Sequence, residues 1–333
     1  MVKVARKTQA TIGVPAWQRA MADAYRRPTE LLADLGLDAG DLDAAIPEFP
    51  LRVPRSYATR IRQGDPRDPL LLQVLPQARE RHAVPGFTDD PVGERSSARQ
   101  PGLLQKYAGR ALIITTGACA VHCRYCFRRS FPYQDSLPHS AFTAILDELR
   151  DDPHIHEVIL SGGDPLSLSD RRLAGLLQRL DRLPHVRRIR LHTRTPIVLP
   201  ERIDAQLLQV LQQLRTPLVT VLHCNHANEI DAAVTAAIAG LRAHSAMVLN
   251  QSVLLRGIND SADALVALSE SLFAAGVTPY YLHQLDPVAG AAHFVVSDAR
   301  ARACVAAAAA RLPGYLVPRL VREIPGAEAK QAL

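Results

Sequence analysis

From about residue 111 the apolar positions fall into short, nearly continuous runs separated by segments of helical spacing. The runs are ALIITT (111–116), EVILSGG (157–163), VRRIRLHTR (186–194), PLVTVLHC (217–224), AMVLNQSVLL (246–255) and TPYYLHQLD (278–286). Between them lie SAFTAILDELR, DRRLAGLLQRLDRL, DAQLLQVLQQLR, IDAAVTAAIAGLRAH and SADALVALSESLFAAG, which read as helices. Such β–α alternation with doubly apolar strands implies a parallel sheet covered by helices. Polar residues gather where the strands end, in TTGAC, SGGD, HTR, HCNH, NQS and HQLD. That edge carries functional groups in barrels and in open α/β sheets alike, so a site is expected there.

The first hundred residues follow another pattern. Pro15, Pro28, Pro47, Pro50, Pro54, Pro66, Pro69, Pro76 and Pro85 interrupt short amphipathic stretches such as AWQRAMADAY and TELLADLGL. FTDDPVGERSSARQPG (87–102) is polar and turn-rich and reads as a loop or linker. This part reads as a helical N-terminal extension in which no chemistry is visible.

Composition narrows the class. With 333 residues, 47% of them hydrophobic and 22% charged, the chain has ample material for a core, and disorder or a coiled coil is excluded. No apolar run approaches the ~18 residues of a membrane span. The opening MVKVARKTQATIG has no apolar core of a secretion signal, so a reduced cytoplasmic setting is expected. The net charge of +6 comes from 39 cationic residues, of which only Lys3, Lys7, Lys106 and Lys330 are lysines. The arginines are spread along the chain and aromatics make up 5%, which argues against nucleic-acid binding.

Three of the five cysteines fall within eight positions, Cys119-x3-Cys123-x2-Cys126, directly after the first strand of the array. Structural zinc takes four ligands, and here three are local. Three thiolates on a [4Fe–4S] cluster would leave one iron for a non-protein ligand. The competing reading is zinc completed by His122, Cys224 or another remote residue.

CxxxCxxC with an aromatic (Tyr125) before the last cysteine resembles the radical S-adenosylmethionine superfamily. There the open iron binds the methionine end of S-adenosylmethionine, and electron transfer yields a 5′-deoxyadenosyl radical. SGGDP (161–165) matches that family's glycine-rich segment, so Gly162, Gly163 and Asp164 are implied contacts of this cofactor. CRYCFRR, SGGDPL, TRTPIVLP, NHANEI, NQSVLLRGIND, YYLHQLD and GYLVPRLVREIPGAEAK together resemble the lysine 2,3-aminomutase family.

The resemblance implies an α/β fold, a partial (β/α)6 radical S-adenosylmethionine barrel, with a helical N-terminal extension at 1–104 and the barrel with its lysine segment at 105–333. In the family a lysine after a glycine-containing turn forms the Schiff base with pyridoxal 5′-phosphate, and Lys330 occupies that position. Lys106 and Arg110 match the basic pair near the cofactor phosphate, with Gln251 as their polar partner. Arg128 matches the arginine that pairs with the substrate carboxylate. Asp286 matches an aspartate that binds the ε-ammonium, and Glu323 stands where a second aspartate is found.

Within the family the fit is to the short branch associated with β-lysylation of elongation factor P. The sequence ends three residues past Lys330, and Ser261 stands at the position of a zinc cysteine, so no zinc is expected. HCNH (223–226) matches a family segment that binds no metal. Cys304, in an alanine-rich helix, reads as a core residue.

The implied reaction converts (S)-α-lysine to (R)-β-lysine. It uses free lysine, an electron donor of flavodoxin or ferredoxin type, and a downstream elongation factor P ligase; neither nucleic acid nor membrane is expected. The alternatives are an aminomutase for another amino acid such as glutamate, which would need a cation near Asp286 and Glu323, or a non-catalytic iron–sulfur or zinc protein that binds nucleic acid.

Overall fold

The computed structural model describes residues 13–38, 49–133 and 141–333. Ten strands form one sheet in sequential order: β1 (Ala98–Gln100), β2 (Leu103–Tyr107), β3 (Arg110–Ile114), β4 (Glu157–Ser161), β5 (Arg188–Thr193), β6 (Leu218–His223), β7 (Met247–Val253), β8 (Thr278–His283), β9 (Arg319–Arg322) and β10 (Gln331–Ala332). Strands β3 to β9 are all parallel, while β1 and β2 at one edge and β10 at the other run antiparallel to their neighbours. The sheet is therefore a partial barrel with open edges. Each of the six apolar runs contributes one of β3 to β8. Strand β2 crosses the 104/105 boundary drawn from the sequence.

Eleven α-helices are present among the described residues. Four short ones precede the sheet: α1 (Ala16–Ala22), α2 (Pro28–Asp34), α3 (Arg55–Ala58) and α4 (Pro69–Leu72). The others are α5 (Ala141–Asp151), α6 (Asp170–Leu180), α7 (Thr195–Val198), α8 (Ala205–Gln212), α9 (Ala232–Arg242), α10 (Ala262–Ala274) and α11 (Asp298–Ala309). Side-chain caps start several of them: Asp204, Asp231, Ser261 and Ser297 each accept a backbone N–H of the first turn. Ser261, the residue at the zinc-cysteine position, is thus a helix cap.

Helix α6 shows how the outer layer is held. Leu173, Leu176, Leu177 and Leu180 lie on one face and are buried, each worth about 1.5–3 kcal/mol of transfer from water. They join a core with alternate strand residues Val158, Leu160, Ile189 and Leu191. The same core includes Trp17, Leu31, Leu32, Tyr57, Leu70 and Leu71 of the first four helices, so the extension packs continuously with the sheet. Because strand side chains alternate, the residues between, such as Glu157, Arg190 and His192, point to the opposite, inner face.

The segment 87–102 is not a free linker. It contains a short 3-10 turn at Arg95–Ser97 and the edge strand β1. A turn-rich composition hid this, since a three-residue edge strand has too few positions for alternation to register.

Candidate active site

Strand β3 delivers the cysteine loop, and β4 delivers the glycine-rich segment against it. Gly163 N–H donates to Thr116 O at 2.6 Å and Asp164 N–H to Ala118 O at 2.8 Å. Gly162 has φ +122°, and a Cβ there would stand 2.7 Å from Thr116 O. A Cβ on Gly163 would collide with Ala118 O. The glycines thus let two backbones meet directly beside Cys119.

Asp164 is buried with its carboxylate fully engaged. It accepts from Thr193 Oγ1 (2.8 Å), Arg194 N (2.7 Å), Thr195 N (2.9 Å) and Leu166 N (3.0 Å). In this arrangement it ties the end of β4 to the turn after β5.

Cys119, Cys123 and Cys126 are free thiols. Burial, then Asp164 and the other two cysteines, push the Cys119 thiol well up, and burial followed by Cys123 pushes Cys126 to about 11. Without metal the Cys119 and Cys126 thiols therefore keep their protons, which binding to iron would displace. Among the described residues no three His, Cys, Asp or Glu side chains are gathered closely enough to hold one ion. Three separate thiolates on one loop can each take one iron of a cluster.

His122 faces away, its Nδ1 2.9 Å from Pro50 O and its ring stacked on Phe49. Cys224 turns its thiol to His226 O at 3.4 Å, and Cys304 donates to Asp260 O at 3.2 Å.

Behind Cys123 lies a buried polar network that the sequence did not announce. Arg194 donates from Nη1 to Cys123 Sγ at 3.0 Å and from Nη2 to Gln73 Oε1 at 2.7 Å and Glu229 Oε2 at 2.9 Å. Asn225 Nδ2 reaches Gln73 Oε1 (3.0 Å) and the Tyr125 hydroxyl (2.7 Å). Tyr125 in turn donates to Gln73 Oε1 at 3.3 Å. Gln73 caps the C-terminus of α4, so the extension read as chemically silent supplies a hub of the site.

The second group surrounds Lys330. Of the four lysines, the two that fall among the described residues reach one carboxylate: Lys330 Nζ is 2.5 Å from Glu323 Oε2, and Lys106 Nζ is 3.7 Å from Oε1. Tyr107 donates its hydroxyl to Glu323 Oε1 at 2.7 Å. Burial alone would raise the Glu323 pKa, but Lys330, Tyr107 and Lys106 outweigh it and hold it below the ordinary value. Burial lowers Lys106, whose Nζ also donates to Val92 O at 2.8 Å.

Arg110 lies over the Tyr107 ring at 4.8 Å. Gln251 pairs in register with His223 on β6 and Tyr281 on β8, and the Tyr281 ring is 5.9 Å from Lys330 Nζ. Asp286 faces this group without a hydrogen-bond donor among the described residues. Burial raises its pKa to about 7, with Lys330 and Lys106 pulling it down and Glu323 and Glu94 pushing it up.

Arg128 is already paired within the chain. Its Nε and Nη2 form a two-pronged ion pair with Glu94 at 2.7 and 2.6 Å, and Nη1 donates to Ser161 Oγ and Gly162 O. A guanidinium has five N–H bonds, so this arrangement leaves one Nη2 hydrogen for a ligand instead of an open fork. Glu94 belongs to the supposed linker, whose neighbours bond Lys106 (through Val92 O), the Asp286–Val288 stretch (through Thr88 and Pro287) and pack Gly93 against Pro325. The segment therefore touches β2, the stretch that carries Asp286 and the turn before Lys330.

The inner face between the two groups holds buried polar atoms with no hydrogen-bond partner: His192 Nε2, His223 Nε2 and Arg190 Nε. Burial pushes His223 and His283 down to about 3 and His192 well down, so all three rings are neutral. Neutral imidazoles and an unfilled guanidinium donor are the complement of a polar, anion-bearing ligand. The residues present thus fit a cluster at one end and a phosphate-bearing cofactor with an amino acid at the other.

The radical SAM superfamily profile matches residues 113–224. The L-lysine 2,3-aminomutase of Escherichia coli K12 is 45% identical over 331 residues, covering 97% of this chain and 96% of its own length. The Haemophilus influenzae protein of that name is 42% identical over 93% of both chains. The Clostridium subterminale L-lysine 2,3-aminomutase is 36% identical over 82% of this chain and 66% of its own. At these identities and coverages, the chain belongs to the lysine 2,3-aminomutase family of radical SAM isomerases.

Proposed function

We propose that the protein isomerises (S)-α-lysine to (R)-β-lysine, and that the product serves modification of elongation factor P. The observation that carries the activity is the arrangement around Lys330. Lys330, expected to anchor pyridoxal phosphate, pairs with Glu323 and acts on Asp286, and the Arg128 guanidinium acts with it on Lys106. A diamino acid has that polarity: anion at one end, cation at the other. Glutamate would bring a second carboxylate toward Asp286 and Glu323, where it would be repelled.

When bound, the cluster and S-adenosylmethionine supply the hydrogen-abstracting radical, and the pyridine ring delocalises the unpaired electron during nitrogen migration. The chain's own share is positioning. Cys119, Cys123 and Cys126 hold the iron, with Gly162 and Gly163 keeping the adjoining backbone close enough for a small ligand to approach and Tyr125 buttressing the loop. Lys106, Arg110 and Gln251 surround the phosphate, and Lys330 anchors the cofactor. Arg128 offers its remaining N–H to the substrate carboxylate, while Asp286 and Glu323 receive the ε-ammonium. With Lys330 engaged elsewhere, Glu323 Oε2 would lose its 2.5 Å contact and be open to that cation, while Tyr107 keeps Oε1 in place.

The side chains of this group are part-buried, Lys330 26%, Lys106 20% and Glu323 9% exposed, so their charge contacts are screened less than on an open surface. The electron comes from a flavodoxin- or ferredoxin-type donor in a reducing cytoplasm, and no described helix is long and apolar enough to cross a membrane.

The test is a substrate panel with reconstituted enzyme, S-adenosylmethionine, pyridoxal phosphate and reductant. Lysine should turn over faster than ornithine, arginine or glutamate, and a faster rate on any of these overturns the lysine assignment. Deleting the gene and weighing elongation factor P intact tests the pathway. The β-lysyl mass should vanish and return when β-lysine is fed, and an unchanged mass removes the pathway claim.

A further inference from the structure

Arg194 is fixed from both ends. Asp164 accepts its backbone N–H at 2.7 Å and that of Thr195 at 2.9 Å, which sets the turn into α7. At the tip, Gln73 and Glu229 hold Nη2 at 2.7 and 2.9 Å, and the guanidinium carbon lies 5.5 Å from the centre of the Tyr125 ring. Glu229 is fully buried and is itself held by Asn225 N (2.9 Å), His226 N (3.0 Å) and Gln73 Nε2 (3.2 Å). Among the described residues no hydrogen bond joins this network to Lys330 or the carboxylates near it. Its hydrogen bond to the cysteine sulfurs is Nη1–H to Cys123 Sγ at 3.0 Å.

We propose that Arg194 is a positioning residue that sets the reduction potential of the iron–sulfur cluster through its hydrogen bond to Cys123 Sγ, with Glu229 as a counter-charge that limits the effect. The inference rests on the cysteine cluster of the function proposed above. Reducing the cluster adds an electron that spreads over iron and the cysteine sulfurs. A rigid N–H donor and a positive charge at one sulfur stabilise the reduced form more than the oxidised form, which raises the potential. A carboxylate 2.9 Å behind the guanidinium offsets part of that charge. Burial keeps both contributions unscreened by salt.

The two charges act in opposite senses, and that separates tuning from mere support. Arg194→Gln should move the midpoint to more negative potential. Glu229→Gln should move it to more positive potential. Arg194→Lys, which keeps the charge but loses the fork, should fall between wild type and Arg194→Gln.

The experiment is an anaerobic redox titration of each reconstituted protein without S-adenosylmethionine, read by the paramagnetic resonance of the reduced cluster. Iron and sulfide are counted on every sample. Shifts of opposite sign in Arg194→Gln and Glu229→Gln support the proposal. Shifts of the same sign, or unchanged midpoints with full iron and sulfide, overturn it. Should Arg194→Gln fail to take up a cluster, Glu229→Gln and Arg194→Lys decide the question by the same signs. A wild-type protein that takes up no iron–sulfur cluster refutes the functional reading instead.

Discussion

Asp286 is a carboxyl group with no hydrogen-bond donor among the described residues, and burial raises its pKa from 3.8 to about 7. The charged groups facing it are Lys330, Lys106, Glu323 and Glu94. The folded state therefore holds this proton more tightly than the unfolded chain. The resulting penalty is absent below about pH 4, grows as pH rises toward 7 and is constant above. A tenfold change in proton affinity is worth about 1.4 kcal/mol, so the full penalty is on the order of 4 kcal/mol, lowered by partial solvent access. Asp286→Asn removes the titration. Urea unfolding of the cofactor-free protein at pH 5 and pH 8 isolates it, because any pH-independent effect of the amide cancels between the two. The variant should gain roughly 2–3 kcal/mol relative to wild type from pH 5 to pH 8. A difference that does not change with pH refutes the reasoning. For the substrate the consequence is direct. A lysine ε-ammonium supplies the missing partner, so lysine affinity should fall about tenfold per pH unit below 7 in wild type and not in the variant.

Other expectations follow from the same geometry. Glu94→Ala leaves the buried Arg128 guanidinium without its ion-pair partner, and should cost about 3–5 kcal/mol in chemical denaturation; a loss under 1 kcal/mol would mean that Arg128 finds another partner. Lys330→Ala should retain the broad cluster absorbance after anaerobic reconstitution and lose the pyridoxal band seen in wild type. Persistence of that band would remove Lys330 from its assigned role. Gly163→Ala forces a methyl group into Ala118 O, with overpacking of about 1–3 kcal/mol, and should lower iron content per chain; a normal iron count would show that the loop can yield.

Much of the barrel was legible because its strands are buried on both faces and read as near-continuous apolar runs, with polar residues confined to their ends. The cysteine spacing and GGDP were legible because their chemistry fixes residue type and distance along the chain. Lys330 stood out by rarity and by the Pro325-Gly326 turn before it.

The residues that escaped notice act through tertiary contact. Gln73 follows a four-residue helix, and nothing in LLLQVL distinguishes a polar hub from a surface glutamine. Glu94 sits among Pro, Gly and Ser, where absence of periodicity resembles a linker, yet its carboxylate closes on Arg128 34 positions away. Asp164 was read as a cofactor contact from its motif. Its four donors come largely from the turn after β5, a pairing that only the adjacency of β4 and β5 reveals.

The most direct test of the central claim uses lysine deuterated at C3 in a single turnover of the reconstituted enzyme. Deuterium should be recovered both in 5′-deoxyadenosine and in β-lysine, and Lys330→Ala should give neither labelled product. β-Lysine formed with no deuterium ever entering 5′-deoxyadenosine, or formed equally by Lys330→Ala, would contradict the account.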